Sequence, residues 1–211
     1  MRVLKIKEPV LVNNFRNCIQ VTCAKMTACS TANLSFKGKL YAAADGFGAD
    51  LKNAVIEHLR QQQFNIEDLG TEKYFVAAEK VSREVQKSGR QAGDINQPET
   101  VRGLLFCGSG MGVAIMANKF QGVAAAVVEN EHAARCSRAI NDTNIICLGG
   151  KVTPVDEAKK IVDAWMQQEF GKAPCSNGGV APEWWSNDVE GFLNNKWPEV
   201  HAVEEESRKA M

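Results

Sequence analysis

At 211 residues, 45% of them hydrophobic and 24% charged, the chain has ordinary globular composition and the length for one well-buried core, but not for two full domains and a linker. The 25 basic residues balance 25 acidic ones, so nothing in the net charge marks a nucleic-acid or membrane-surface partner, and no apolar run reaches the roughly 18 residues of a membrane-spanning helix. Seven cysteines, odd in number and without a CxxC pair, suit free thiols in a reducing compartment and argue against a disulfide scaffold or a zinc site.

Residues 1–39 hold seven Lys or Arg and a single acid, Glu8. Basic, acid-poor, Ser/Thr-containing composition is that of organellar transit peptides, which would place the protein in a chloroplast or another organelle. The competing reading is a loosely packed arm with Met26 as the start, and a cytoplasmic protein.

From Leu40 the pattern is regular. LYAAAD (40–45) reads as a buried strand and 50–62 as a helix with Leu51, Val55 and Leu59 on one face. FNIEDLG (64–70) is a second strand, followed by a helix over 74–87 and a polar loop over 88–100. Arg102 to Cys107 is a third strand, apolar enough for the interior of a parallel sheet covered on both faces. The series continues with a helix over 111–120, a strand over 123–128, a helix over 131–140, a strand over 144–148 and a helix over 155–170. Strict βα alternation predicts a single Rossmann-like α/β domain over 40–170, a five-stranded parallel sheet between two helical layers. Past Gly171 the periodicity fails. Residues 171–211 read as an extension with one short helix over 183–195, and Trp184, Trp185 and Trp197 suggest that it packs on its own subunit or on a partner.

In such a sheet, ligands collect at the carboxyl ends of the strands where strand order reverses. Two segments end strands there: Asp45-Gly46-Phe47-Gly48 and Cys107-Gly108-Ser109-Gly110-Met111-Gly112. Alternating glycines let backbone N–H groups approach an anion, beside the positive end of the next helix, and they serve tight turns without ligands equally well. A thiol in Cys107's place is either a base or nucleophile favoured by that helix end, or a small hydrophobe. Asp45 either accepts from a ligand hydroxyl or caps the next helix. Asn141, in NDTN, is a further polar candidate. Of the three histidines, His58 and His201 read as surface residues, and His132 opens the helix after strand four.

RGLLFCGSGMGVAIMANKFQGVAAAVV, ARCSRAINDTNIICLGGKV and AKKIVDAWM together resemble the RpiB/LacA/LacB sugar-phosphate isomerases over 40–170, nearest the divergent plant members of DNA-damage-repair/toleration type. The resemblance implies interconversion of aldose and ketose phosphates, of the ribose 5-phosphate and ribulose 5-phosphate type. The reaction runs through an enediolate, with no metal or organic cofactor, in homodimers or tetramers whose sites are shared between subunits. Carried over, Cys107 shuttles the proton between C1 and C2. The amides of Gly108, Gly110, Met111 and Gly112, with the Ser109 hydroxyl, stabilise the enediolate. Asp45, Gly46 and Asn141 meet sugar oxygens, Tyr74 lines the pocket, and Lys151 contacts phosphate.

The chain also departs from the family pattern. Gly46 follows Asp45 where the family has Asp-His, Ile140 precedes NDTN where it has a ring-opening histidine, and Lys151 replaces the arginine of GGR. GKAPCSNGG stands in place of the basic C-terminal region that supplies phosphate-binding arginines, leaving Lys119, Arg135, Arg138, Lys151 and Lys172 as candidate anchors. Two functions fit: an isomerase of a small sugar phosphate, or a non-catalytic relative that binds a sugar phosphate or another anion in stress response.

Overall fold

A computed structural model describes residues 36–90, 93, 98–175, 179 and 181–209. Nearly all of the basic N-terminal segment, and with it the choice between transit peptide and arm, lies outside the described residues.

Five strands, β1 (Lys39–Ala44), β2 (Asn65–Thr71), β3 (Val101–Cys107), β4 (Ala125–Val127) and β5 (Ile145–Gly149), form one sheet in the order β2-β1-β3-β5-β4. Every pairing is parallel, as the βα alternation requires. Helices α1 (Ala49–Gln61) and α5 (Val155–Gln167) cover one face, and α2 (Tyr74–Lys87) and α3 (Met111–Ala117) the other. Alternation along β3 feeds both cores. Leu104 and Phe106 pack with Leu51, Val55 and Trp165, while Leu105 and Cys107 pack with Ala77, Val81 and Val113. Helix α4 (Glu131–Asn141) adds Ala134 to the first core and starts at an N-cap, Asn130, whose side chain accepts from the Ala133 amide.

Several elements differ from the sequence expectation: β4 is shorter than 123–128, and α5 ends at Gln167, not Phe170. Helix α3 stops at Ala117, not Phe120, because Asn118 turns its amide away: Nδ2 donates to Ala114 O (3.0 Å) and Ala125 O (2.8 Å), and Oδ1 accepts from Ala125 N (2.9 Å). One side chain thus ends the helix and pins β4. Helix α6 (Asn187–Asn195) begins four residues later than expected, where Ser186 accepts from Val189 N. A further helix, α7 (Trp197–Lys209), has no counterpart in the sequence reading, since beyond Trp197 and Val200 it lacks an apolar stripe. Trp197 anchors it, lying 5.9 Å from Phe170 between ring centroids and directly over Gly93.

At the amino edge of the sheet sits a buried ionic network. Glu99 bridges Arg102 (2.7 Å) and Arg138 (2.9 Å), and Asp142 bridges Arg138 (2.9 Å) and Arg90 (2.6 Å). Asp142 is fully buried and holds a left-handed conformation, φ 46°, that terminates α4.

Candidate active site

The chain leaves β1 for β2 on one side and returns to β3 on the other, so strand order reverses between β1 and β3. Their carboxyl ends frame the crevice of an open parallel sheet. Ala44 pairs with Phe106, and Asp45 N donates to Phe106 O at 2.9 Å, which sets Asp45 and Cys107 at the same edge of the crevice.

Cys107 is 5% exposed, and its Sγ accepts the Gly110 N–H at 3.1 Å. That contact depends on the left-handed turn at Gly110, φ 80°, where a Cβ would also stand 3.1 Å from the Leu148 carbonyl carbon. The turn after β5 clamps the loop from behind, because Gly150 N donates to Cys107 O (2.8 Å) and Lys151 N to Gly108 O (2.9 Å). A Cβ on Gly150 would come within 2.3 Å of Phe47 O, so this clamp needs glycine. Among the described residues, the N–H groups of Gly108 and Ser109 have no acceptor, and Ser109 Oγ accepts only a long contact from Met111 N, 3.4 Å. The sulfur is placed to move a proton, and the two free amides beside it can donate to a developing oxyanion.

Asp45 holds the turn before α1 and is not its cap, since the N-cap is Gly48 and takes no side-chain cap bond. Oδ1 accepts from Phe47 N (2.9 Å) and Gly48 N (3.0 Å) and so fixes the turn into α1, while Oδ2 takes no hydrogen bond from the described residues. Asp45 opens onto a cleft of about 590 Å³, lined also by Gly46, Phe47, Glu72, Lys73, Tyr74 and Phe75. Phe47 and Tyr74 join this cleft to the loop: a Cβ on Gly108 would lie 3.6 Å from Phe47 Cβ, and one on Gly112 3.2 Å from the Tyr74 ring. A Cβ on Gly46 would meet nothing within 4 Å.

The structure thus gathers Asp45, Gly46, Tyr74, Cys107, Gly108, Ser109, Gly110, Met111, Gly112 and the backbone of Lys151 at one edge. Asn141 is not among them. It is exposed at the end of α4, and α4 leads into the amino end of β5, whereas Cys107 pairs with Gly149 at the other end. From the Gly103–Ile145 pair to the Cys107–Gly149 pair are four strand residues, about 13 Å. Arg138, one of the candidate anchors, is committed to the amino-edge network. Phe47, Glu72, Lys73 and Phe75 were missed as site residues. The clue was the end of strand two, where Glu72-Lys73 precede Tyr74; Glu72 N is bonded to Ala44 O at 2.9 Å, which draws the start of α2 against the end of β1. Glu72 pairs with Lys80 (3.2 Å), and Lys73 forms no ion pair with the described residues.

The family model for ribose/galactose isomerases matches residues 40–177. The DNA damage-repair/toleration protein DRT102 of Arabidopsis thaliana is 38% identical over 165 residues, 78% of this chain; the chain spans half of that protein's length. A probable ribose-5-phosphate isomerase B of Mycoplasma genitalium is 33% identical over 62% of this chain and 84% of its own. A D-erythrulose-4-phosphate isomerase of Pectobacterium atrosepticum is 31% identical over 66% of this chain and 86% of its own. Among solved structures, ribose-5-phosphate isomerase B of Clostridium thermocellum superimposes with a TM-score of 0.60 at 29% identity, covering 79% of this chain and 99% of the other. With its parallel five-stranded sheet and the cysteine-led glycine loop at the crevice, the chain belongs to the ribose/galactose isomerase family, the RpiB type of sugar-phosphate isomerases.

Proposed function

We propose that the protein interconverts the aldose and ketose forms of a small sugar phosphate, of the ribose 5-phosphate and ribulose 5-phosphate type. The observation that carries this reading is the Cys107 sulfur, hydrogen-bonded to Gly110 N at 3.1 Å beside the free amides of Gly108 and Ser109. Cys107 takes the proton from the carbon next to the carbonyl, those amides receive the negative charge of the enediolate oxygen, and the proton returns to the neighbouring carbon. Asp45 Oδ2 accepts from a sugar hydroxyl. The family resemblance and the ribose-5-phosphate isomerase relatives support the same chemistry.

The working unit in this reading is a homodimer or tetramer. Phe47 (66% exposed), Met111 (54%) and Val152 (53%) follow the carboxyl ends of β1, β3 and β5, and Ile115 (63%) lies one turn into α3, exposed apolar side chains suited to a second copy. That copy would bring Asn141 and a phosphate-binding cation to the site. A coupled assay across tetrose and pentose phosphates tests the proposal: turnover of any of them in the unmodified chain, reduced at least about 10²-fold in Cys107→Ala, supports it, and turnover of none overturns it. A second reading, an anion-binding relative without turnover, is favoured by Gly46 and Ile140, which put no imidazole where the family has one. Calorimetric binding of the sugar phosphate with no isomerisation would decide for it.

A further inference from the structure

The cleft beside Cys107 holds a particular set of groups for acid-base work. Asp45 has one oxygen committed to two amides, Glu72 is paired with Lys80, and Lys73 and Tyr74 complete the titratable lining. Within one subunit the imidazoles are all elsewhere. His58 is bonded to Asp163 between α1 and α5 (2.8 Å), His132 lies within 3.5 Å of Cys136 on α4, and His201 packs on Trp197 in α7. Gly46, next to Asp45 in the cleft wall, carries no side chain, although a Cβ there would meet nothing within 4 Å.

Opening a cyclic sugar takes a base for the anomeric hydroxyl and an acid for the ring oxygen, and an imidazole near its ordinary pKa supplies either at neutral pH. Isomerisation of an open chain needs neither; it needs only the carbon base and the oxyanion donors, both of which this site has. From this we infer that the substrate is an acyclic sugar phosphate, one whose phosphate or missing hydroxyl blocks ring closure. The inference rests on the isomerase reading above. A four-carbon sugar 4-phosphate meets the requirement: O4 carries the phosphate, closure through O3 would give a four-membered ring, and the aldehyde or ketone stays free. Ribose 5-phosphate does not, since O4 closes a five-membered ring on C1, whereas its ketose partner, ribulose 5-phosphate, stays open. The step balances within the substrate. One C–H bond at the carbon beside the carbonyl breaks and one forms at the neighbouring carbon, a proton moves between the two oxygens, and no oxidant or reductant takes part.

The test measures kcat/KM of the full chain for erythrulose 4-phosphate, ribose 5-phosphate and 4-deoxyribose 5-phosphate, a five-carbon chain that has no O4 with which to close. Both acyclic compounds should exceed ribose 5-phosphate by at least about 10²-fold, the scale of one acid-base contribution. Gly46→His, which restores an imidazole at the open position, should raise ribose 5-phosphate turnover at least about tenfold relative to erythrulose 4-phosphate. Ribose 5-phosphate turned over as efficiently as the acyclic pair overturns the inference and leaves the isomerase reading standing. Turnover of the tetrose alone makes chain length the criterion and also overturns it. If folded protein turns over none of the three, the isomerase reading fails and the inference with it.

Discussion

Replacing Asp142 by alanine tests whether the NDTN segment is built for the fold or for the ligand. The carboxylate is fully buried, pairs with Arg138 at 2.9 Å and Arg90 at 2.6 Å, and accepts the Gly93 amide at 2.7 Å. Removing one partner of a buried pair costs about 3–5 kcal/mol, because the opposing charge stays in place without compensation. Alanine at φ 46° adds roughly 1–2 kcal/mol of backbone strain. Against a total stability of about 5–15 kcal/mol, this is a large fraction. For a chain of this size it lowers the melting temperature by about 8–28 °C, at roughly 2–4 °C per kcal/mol. Asp142→Asn keeps a left-handed residue and an acceptor for Gly93, so its loss should fall between alanine and the unmodified chain. Urea unfolding with an unchanged m value measures the difference. A loss below about 1 kcal/mol for Asp142→Ala would refute the assignment of this carboxylate as the lock on the amino edge.

Other outcomes follow from the same geometry. Cys107→Ala leaves the Gly110 N–H without its acceptor and should cost about 1–3 kcal/mol, whereas Cys107→Ser keeps an acceptor and should be nearer the unmodified protein; equal stabilities would contradict the hydrogen bond. Lys73→Ala should weaken ribose 5-phosphate binding about 10- to 100-fold in calorimetric titration, the scale of one charged hydrogen bond, and an unchanged Kd would remove Lys73 from the site. Burial pushes the Glu99 carboxyl up, but Arg102 and Arg138 more than reverse this, so its folded pKa lies below the ordinary 4.5. A depressed carboxyl contributes stability above its unfolded pKa and loses it as pH falls through the folded one. Stability should therefore drop steeply below about pH 4.5, and Glu99→Gln should flatten that drop in acid titrations followed by circular dichroism.

The sheet was legible because its strands carry the signal of burial on both faces: LYAAA and RGLLFC are continuous apolar runs, each ended by a glycine-bearing turn. The crevice followed from topology, since βα alternation alone puts Asp45 and Cys107 at carboxyl ends. The limits of Asn118 and the course of α7 were not legible. The first depends on one amide reaching Ala125 across the fold, and the second on a single tryptophan packing over Gly93. Lys73 was not legible because glycine loops mark only the ends of strands one and three, while the cleft draws half its wall from the end of strand two. NDTN read as one polar motif, but folding divides it. Asp142 joins the ionic network, Thr143 accepts from the Trp165 indole at 2.9 Å, Asn144 ties β4 to β5, and only Asn141 is left exposed.

The proposed reaction has Cys107 carry a proton between adjacent carbons of a sugar phosphate. Its most direct test is incubation of the protein in heavy water with erythrulose 4-phosphate and, separately, ribose 5-phosphate, with deuterium at C1 and C2 followed by NMR. The expected result is aldose-ketose interconversion with deuterium entering at those carbons, slowed at least about 10²-fold in Cys107→Ser of unchanged circular dichroism. Exchange at the same rate in Cys107→Ser, or none with either sugar phosphate in the unmodified protein, would contradict it.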